Sequence, residues 1–181
     1  MYETRLLGVT ITSDCEWNRH VSEIVKIANR KLWFIRRLKV LGASVDTLVD
    51  TYKLFVRQGL ELAVPLWAPA LSEGNSYLIE RVQSKVSKVI IGPGPHSQDY
   101  KQRISTLSLS TLSQRRSRLT TKFALKMAND EKYDYLFPRR QNNITRHSKP
   151  FIEPQYTTKR FQCSSIPSFI RIANQEANKR T

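Results

Sequence analysis

From Trp17 to Leu41 apolar residues return at steps of three and four. At about 100° per residue, Trp17, Val21, Ile24, Ala28, Leu32 and Ile35 fall on one side of a helix, and Arg19, Lys26, Arg30, Trp33 and Arg37 on the other. Ser13 or Asp14 offers an N-cap and Gly42 a C-terminal stop. Behind a Ser44 cap a second run keeps the same steps through Val45, Leu48, Val49, Tyr52, Phe55, Val56, Leu60 and Ala63. Gly59 and Pro65 predict a bend or break before Trp67, and Pro69 a turn. Ser72 opens a third helix with Leu78, Ile79, Val82, Val86, Val89 and Ile90 inward and Arg81, Lys85 and Lys88 outward, ended by Gly92, Pro93, Gly94 and Pro95. After a poorly defined stretch around His96 to Ser108, Ser110 or Thr111 caps a fourth helix. It turns Leu112, Leu119, Phe123 and Met127 inward and Arg115, Arg118 and Lys122 outward.

The ends break this rhythm. Thr4 to Thr12 alternates and is β-branched enough for a strand or hairpin arm, with Gly8 at a close approach or bulge. From Asp130 onward aromatics and prolines are scattered without a sustained period. The expected fold is therefore mainly α: an antiparallel helical bundle with a short N-terminal β segment and an irregular C-terminal tail. Its expected divisions are a hairpin remnant at 1–14, a helical domain at 15–130 and an irregular basic tail at 131–181.

Charge sharpens the picture. The 181 residues carry 30 Lys and Arg against 15 Asp and Glu, a formal charge of +15. Such an excess opposes compaction by self-repulsion and is usually kept because something negative binds. A cationic outer stripe on one helix is as well explained by a solvated face, but three helices repeat it, which favours a polyanion. Phosphates would take the Lys and Arg, and Trp33 would offer a plane to a sugar or base. The most apolar run, Leu60 to Leu71, holds Glu61, Pro65 and Pro69 and is too short to span a bilayer. The opening residues, with Glu3 among them, lack the form of a signal peptide, so an intracellular site is expected, nuclear or in a cytoplasmic ribonucleoprotein. Neither a membrane nor a small-molecule substrate is expected as partner.

Catalytic patterns are not found. Asp14, Asp46, Asp50, Asp99, Asp130 and Asp134 form no adjacent pair for two-metal chemistry. Asp46 and Asp50 share a helical face, yet beside Ser44 they serve the helix dipole more simply. His20 reads as a polar flank of a helix start. His96 and His147 have no partner at metal or triad spacing. Cys15 and Cys163 are far apart and read as plain thiols. Gly92 to Pro95 lacks the Lys-Ser/Thr of a phosphate loop, and no serine sits in G-x-S-x-G.

The order of several short motifs nonetheless resembles one family. Leu7-Gly8-Val9-Thr10-Ile11 is followed by Asp14, Trp17 and His20 and then a basic helix. Val56-Arg57, Leu60-Glu61 and Ala63 precede Trp67 and Pro69. Ile79, Val82-Gln83, Val89 and Gly92 follow, and then Leu109, Leu112, Arg115 and Arg116. In this order they resemble the end of the reverse transcriptase of jockey-like, LINE-type non-LTR retrotransposons, over roughly Arg5 to Phe137. The tail from Thr145 to Asn174 is also similar to the final stretch of such polyproteins. Leu6, Gln58 with Gly59, and Leu62 and Val64 depart from the family's usual residues.

The resemblance implies a place in a polymerase. Leu7 and Gly8 would belong to the primer-grip hairpin, and the helices after it to the thumb, which holds the RNA–DNA or DNA template–primer duplex by its backbone. The metal-binding F/Y-x-D-D turn, the fingers and the endonuclease would lie before Met1. Mg2+ would then be bound by that missing palm, leaving no cofactor and no catalysis to this chain. A freestanding helical RNA- or DNA-binding protein and a decayed retroelement product are the rival expectations.

Overall fold

A computed structural model describes residues 2–92, 99–140 and 150–179. Among them helices dominate and the strands form one two-stranded sheet, the fold class expected. The chain divides into two compact units, Met1–Ala63 with Leu71–Arg115, and Val64–Ala70 with Arg116–Thr181.

The first unit opens with β1 (Glu3–Leu6) paired antiparallel to β2 (Val9–Thr12), in register from Leu6↔Val9 to Glu3↔Thr12. Between them Leu7 and Gly8 both take positive φ, +48° and +85°, the signature of the tight primed turn that suits twisted strands. β2 packs on α1 (Asn18–Val40). Val21, Ile24, Ala28, Leu32 and Ile35 of α1 are buried as its periodicity requires, and Trp17 is half-buried. Gly42, at φ +83°, closes α1: its N–H bonds the Lys39 carbonyl at 3.0 Å and that of Ala43 the Leu38 carbonyl at 3.1 Å, a full Schellman pair. The expected N-cap is corrected. Cys15 turns the chain at φ +54°, so Asp14 accepts the Glu16 N–H at 3.0 Å, and Trp17 is the cap residue without a side-chain bond.

α2 (Val45–Thr51) starts on Ser44, whose Oγ accepts the Thr47 N–H at 3.2 Å. The rod continues as a π-helix, Tyr52–Arg57, and as α3 (Gln58–Glu61), and breaks where Ala63 takes φ +50°. The wider π turn slips the α phase, leaving Tyr52 and Val56 inside and turning Phe55 outward, against the expected inward place. α5 (Glu73–Ile91) starts on Ser72 and stops at Gly92, φ +84°. Its Leu78, expected inside, is 39% exposed. Asn75 meets Asn18 at 2.7 Å, Lys85 meets Asn29 at 3.0 Å, and Lys39 donates to the carbonyls of Val89 and Ile90 at 2.6 and 2.9 Å. α1 and α5 therefore run parallel. α2 and α3 run back antiparallel to α1, with Phe55 against Phe34 and Leu62 beneath the Gly8 turn. α6 (Tyr100–Thr106) lies in the stretch left undefined by pattern, opened by an Asp99–Gln102 capping box. Pro93, Gly94, Pro95, His96 and His147 fall outside the described residues.

The second unit holds α4 (Val64–Trp67), a 3-10 turn at Ala68–Ala70, most of α7 (Leu112–Ala128), a 3-10 segment at Glu131–Leu136, α8 (Lys159–Gln162) and α9 (Ser165–Lys179). The irregular tail is thus corrected: its last described segment is a helix. Pro167 sits in the first turn, where its missing N–H costs nothing, and Asn174 interrupts the apolar stripe, so neither reads as helix in one dimension. Asn174 instead bonds both backbone groups of Phe151, at 3.0 and 3.1 Å. Phe137, Phe151, Phe169 and Ile170 build the core with Ala124, Met127, Ala128 and Ala173. Phe123, expected inside, is 43% exposed and meets Phe169 by its edge.

Candidate nucleic-acid interface

Folding α1 around its apolar stripe leaves Arg19, Lys26, Arg30, Trp33 and Arg37 exposed along one line. From Arg19 to Arg37 it spans about 27 Å at the α-helical rise. Trp33 is 67% exposed, between Arg30 and Arg37. Lys26, Arg30 and Arg37 make no ion pair among the described residues, whereas Arg19 is held by Glu3 at 3.2 Å and Glu23 at 3.1 Å.

The neighbouring helix carries a second row. Arg81, Lys85 and Lys88 of α5 are all exposed. Asn18 and Asn29, which touch α5, lie some 40–100° to one side of the α1 line. Asn75 and Lys85, which touch α1, lie on the matching flank of α5, so the two rows face the same way. Tyr77 extends the α5 row by one turn, is 64% exposed, and lies under the Arg81 guanidinium at 5.7 Å. Pattern reading passed over Tyr77, though its spacing of four from Arg81 was available.

Between the hairpin and the first half of α1 lies an open groove of about 480 Å³, lined by Arg5, Arg19, Lys26 and Arg30 together with Glu3 and Glu23. Thr10 Oγ1 donates to Glu23 at 2.6 Å, so one carboxylate orders both the strand and Arg19. Arg5 was missed because no strand pattern marks a residue facing a helix. Leu7 and Gly8 form the hairpin tip, with Leu7 90% exposed.

The fourth-helix cations separate. Arg115 is corrected: it forms a two-pronged ion pair with Glu61, its Nη2 at 2.8 Å, and both side chains are largely buried. These bonds raise its pKa further and remove it from the surface set. Arg118 and Lys122 are exposed but belong to the second unit.

Beneath the rows a polar network fixes the helices. The Tyr52 hydroxyl donates to Gln83 Oε1 at 2.7 Å, and Gln83 Nε2 donates to Tyr100 at 3.0 Å and to the Ser110 carbonyl at 2.9 Å. Tyr100 also donates to Glu80, whose carboxylate accepts the first N–H groups of α7, Leu112 and Ser113, each at 3.1 Å. Burial raises the Tyr52 phenol above its ordinary range, and burial with the Glu80 bond raises that of Tyr100. His20, against the hairpin, accepts the Thr10 N–H on Nδ1 at 3.3 Å. Burial lowers its pKa, Glu23 opposing and Arg5 adding to the effect.

Among the described residues no three His, Cys, Asp or Glu side chains gather as a metal site, and no helix is long and apolar enough to cross a membrane. The fold and this face define a helical protein with a two-row cationic surface bearing exposed rings. Compared with family models, curated proteins and solved structures, the chain matches none.

Proposed function

We propose that the chain is a nucleic-acid-binding element without chemistry of its own, the thumb and C-terminal region of a retroelement reverse transcriptase, acting in the nucleus or in a cytoplasmic ribonucleoprotein. The observation that carries the binding reading is the pair of parallel cation rows turned the same way. Lys26, Arg30 and Arg37 on α1 and Arg81, Lys85 and Lys88 on α5 are placed to contact phosphates, which any sequence presents. Support for the retroelement reading is narrower: residues quoted for the resemblance meet as partners, Glu61 with Arg115 and Thr10 with His20, and the exposed Leu6, Leu7 and Leu62 suit a tip that a polymerase palm would cover.

Six phosphate contacts set log affinity falling with log salt at a slope of roughly four to five. Anisotropy titrations of a labelled oligonucleotide at several salt concentrations test this; affinity indifferent to salt counts against it. Primer-extension assays should give nothing above background, and extension that co-purifies with the chain would overturn the non-catalytic reading.

A further inference from the structure

We infer that the two-row face takes an unpaired strand of RNA or DNA in preference to a duplex. This rests on the nucleic-acid reading above and departs from the duplex grip that the resemblance implies. A duplex backbone needs only cations, because its bases are shut into the stack. Here each row instead carries an exposed ring beside its cations, Trp33 between Arg30 and Arg37, and Tyr77 at the start of the α5 row with Arg81 over one face of the ring. Rings interleaved with cations are the arrangement that stacks successive unpaired bases while the backbone is neutralised.

The register of the helices gives the length of strand. Asn18 lies level with Asn75 and Asn29 with Lys85, so Tyr77 is level with the residues just after His20. Trp33 is some twelve residues further along, about 18 Å at the helical rise, and with the step of about 9 Å across to the neighbouring helix the two rings are roughly 20 Å apart. At a stacked rise of about 3.4 Å per nucleotide, roughly six nucleotides join the two rings.

The test titrates the whole chain with labelled RNA and DNA homopolymers of increasing length and with a blunt duplex, following anisotropy and Trp33 fluorescence, with Trp33→Phe marking the signal of that ring. Expected are affinity that climbs to about six nucleotides and then flattens, quenching by single strands, and a drop of about tenfold for Trp33→Ala and for Tyr77→Ala on single strands alone. Tyr77→Phe should keep most of the affinity, since stacking needs no hydroxyl. Both rings lie on the surface, so circular dichroism of the variants should match the parent. If duplex binds as tightly as single strand and both alanine variants bind normally, the unpaired-strand inference fails while salt-dependent binding keeps the broader reading. If neither strand nor duplex binds at low salt, both fail.

Discussion

The two units solve the same problem with different materials. The first rests on long amphipathic helices locked by buried polar pairs: Tyr52 with Gln83, Tyr100 with Glu80, Glu61 with Arg115, His20 with Thr10. The second rests on phenylalanines from short pieces, tied by backbone bonds from the Arg140 N–H to the Pro150 carbonyl and from the Ile152 N–H to the Pro138 carbonyl, and by the Asn174 amide. Buried polar pairs fix register and direction but tie stability to protonation, whereas an aromatic core tolerates pH and depends on volume. The unit that displays the cation rows is the one whose helices are held in a set register.

The largest break of this contrast is expected in the second unit. Phe169→Ala deletes a ring that is 2% exposed at the centre of the cluster and should cost about 3–5 kcal/mol in denaturant unfolding. It should leave the salt slope of binding unchanged at temperatures where the fold persists. In the first unit Arg115→Ala strands Glu61, 14% exposed, beside a more distant Arg57 at 3.8 Å, at a cost of about 2–3 kcal/mol. Glu61→Gln should cost less, because its amide oxygen still accepts a hydrogen bond from Arg115, although that guanidinium loses its counter-charge.

Legibility in the sequence followed the same division. Residues 18–40 and 73–91 announce themselves because each turns one unbroken apolar stripe inward, and capping chemistry at Ser44, Ser72 and Thr111 marks helix starts that the structure keeps. What one dimension hides is contact between distant residues. Nothing near Arg115 distinguishes it from Arg118, and only the approach of Glu61 makes one structural and leaves the other on the surface. Phe137 and Phe151 pack edge to face at 5.7 Å across a stretch with no period, so the second core was unreadable. The α1 and α5 cation rows were legible; that they face one way depends on Asn18, Asn29, Asn75 and Lys85, whose pairing no periodicity encodes.

Acidity and alkalinity sharpen the contrast further. His20 has a folded pKa below the 6.5 of the unfolded chain, so below that pH the unfolded state takes protons first. Its contribution is complete above 6.5 and is lost as pH falls toward the folded value. Tyr52 and Tyr100 are raised above 10, so the unfolded chain ionises first in alkali and stability falls as pH climbs past 10. Both losses belong to the first unit, and amide exchange across pH should find them in β2, α1 and α5 before α9. The smallest effect is expected at the hairpin tip. Leu7→Asn suits the positive φ better and should stabilise by about 0.5–1 kcal/mol in thermal unfolding.

The central claim is that the two rows act together on phosphates, and the salt dependence of binding by Arg30→Glu/Lys88→Glu tests it most directly. Both positions are exposed, one on each row. The account predicts weaker binding for every nucleotide sequence and a log–log slope reduced by about one to two. An unchanged slope, or a loss confined to particular sequences, would contradict it.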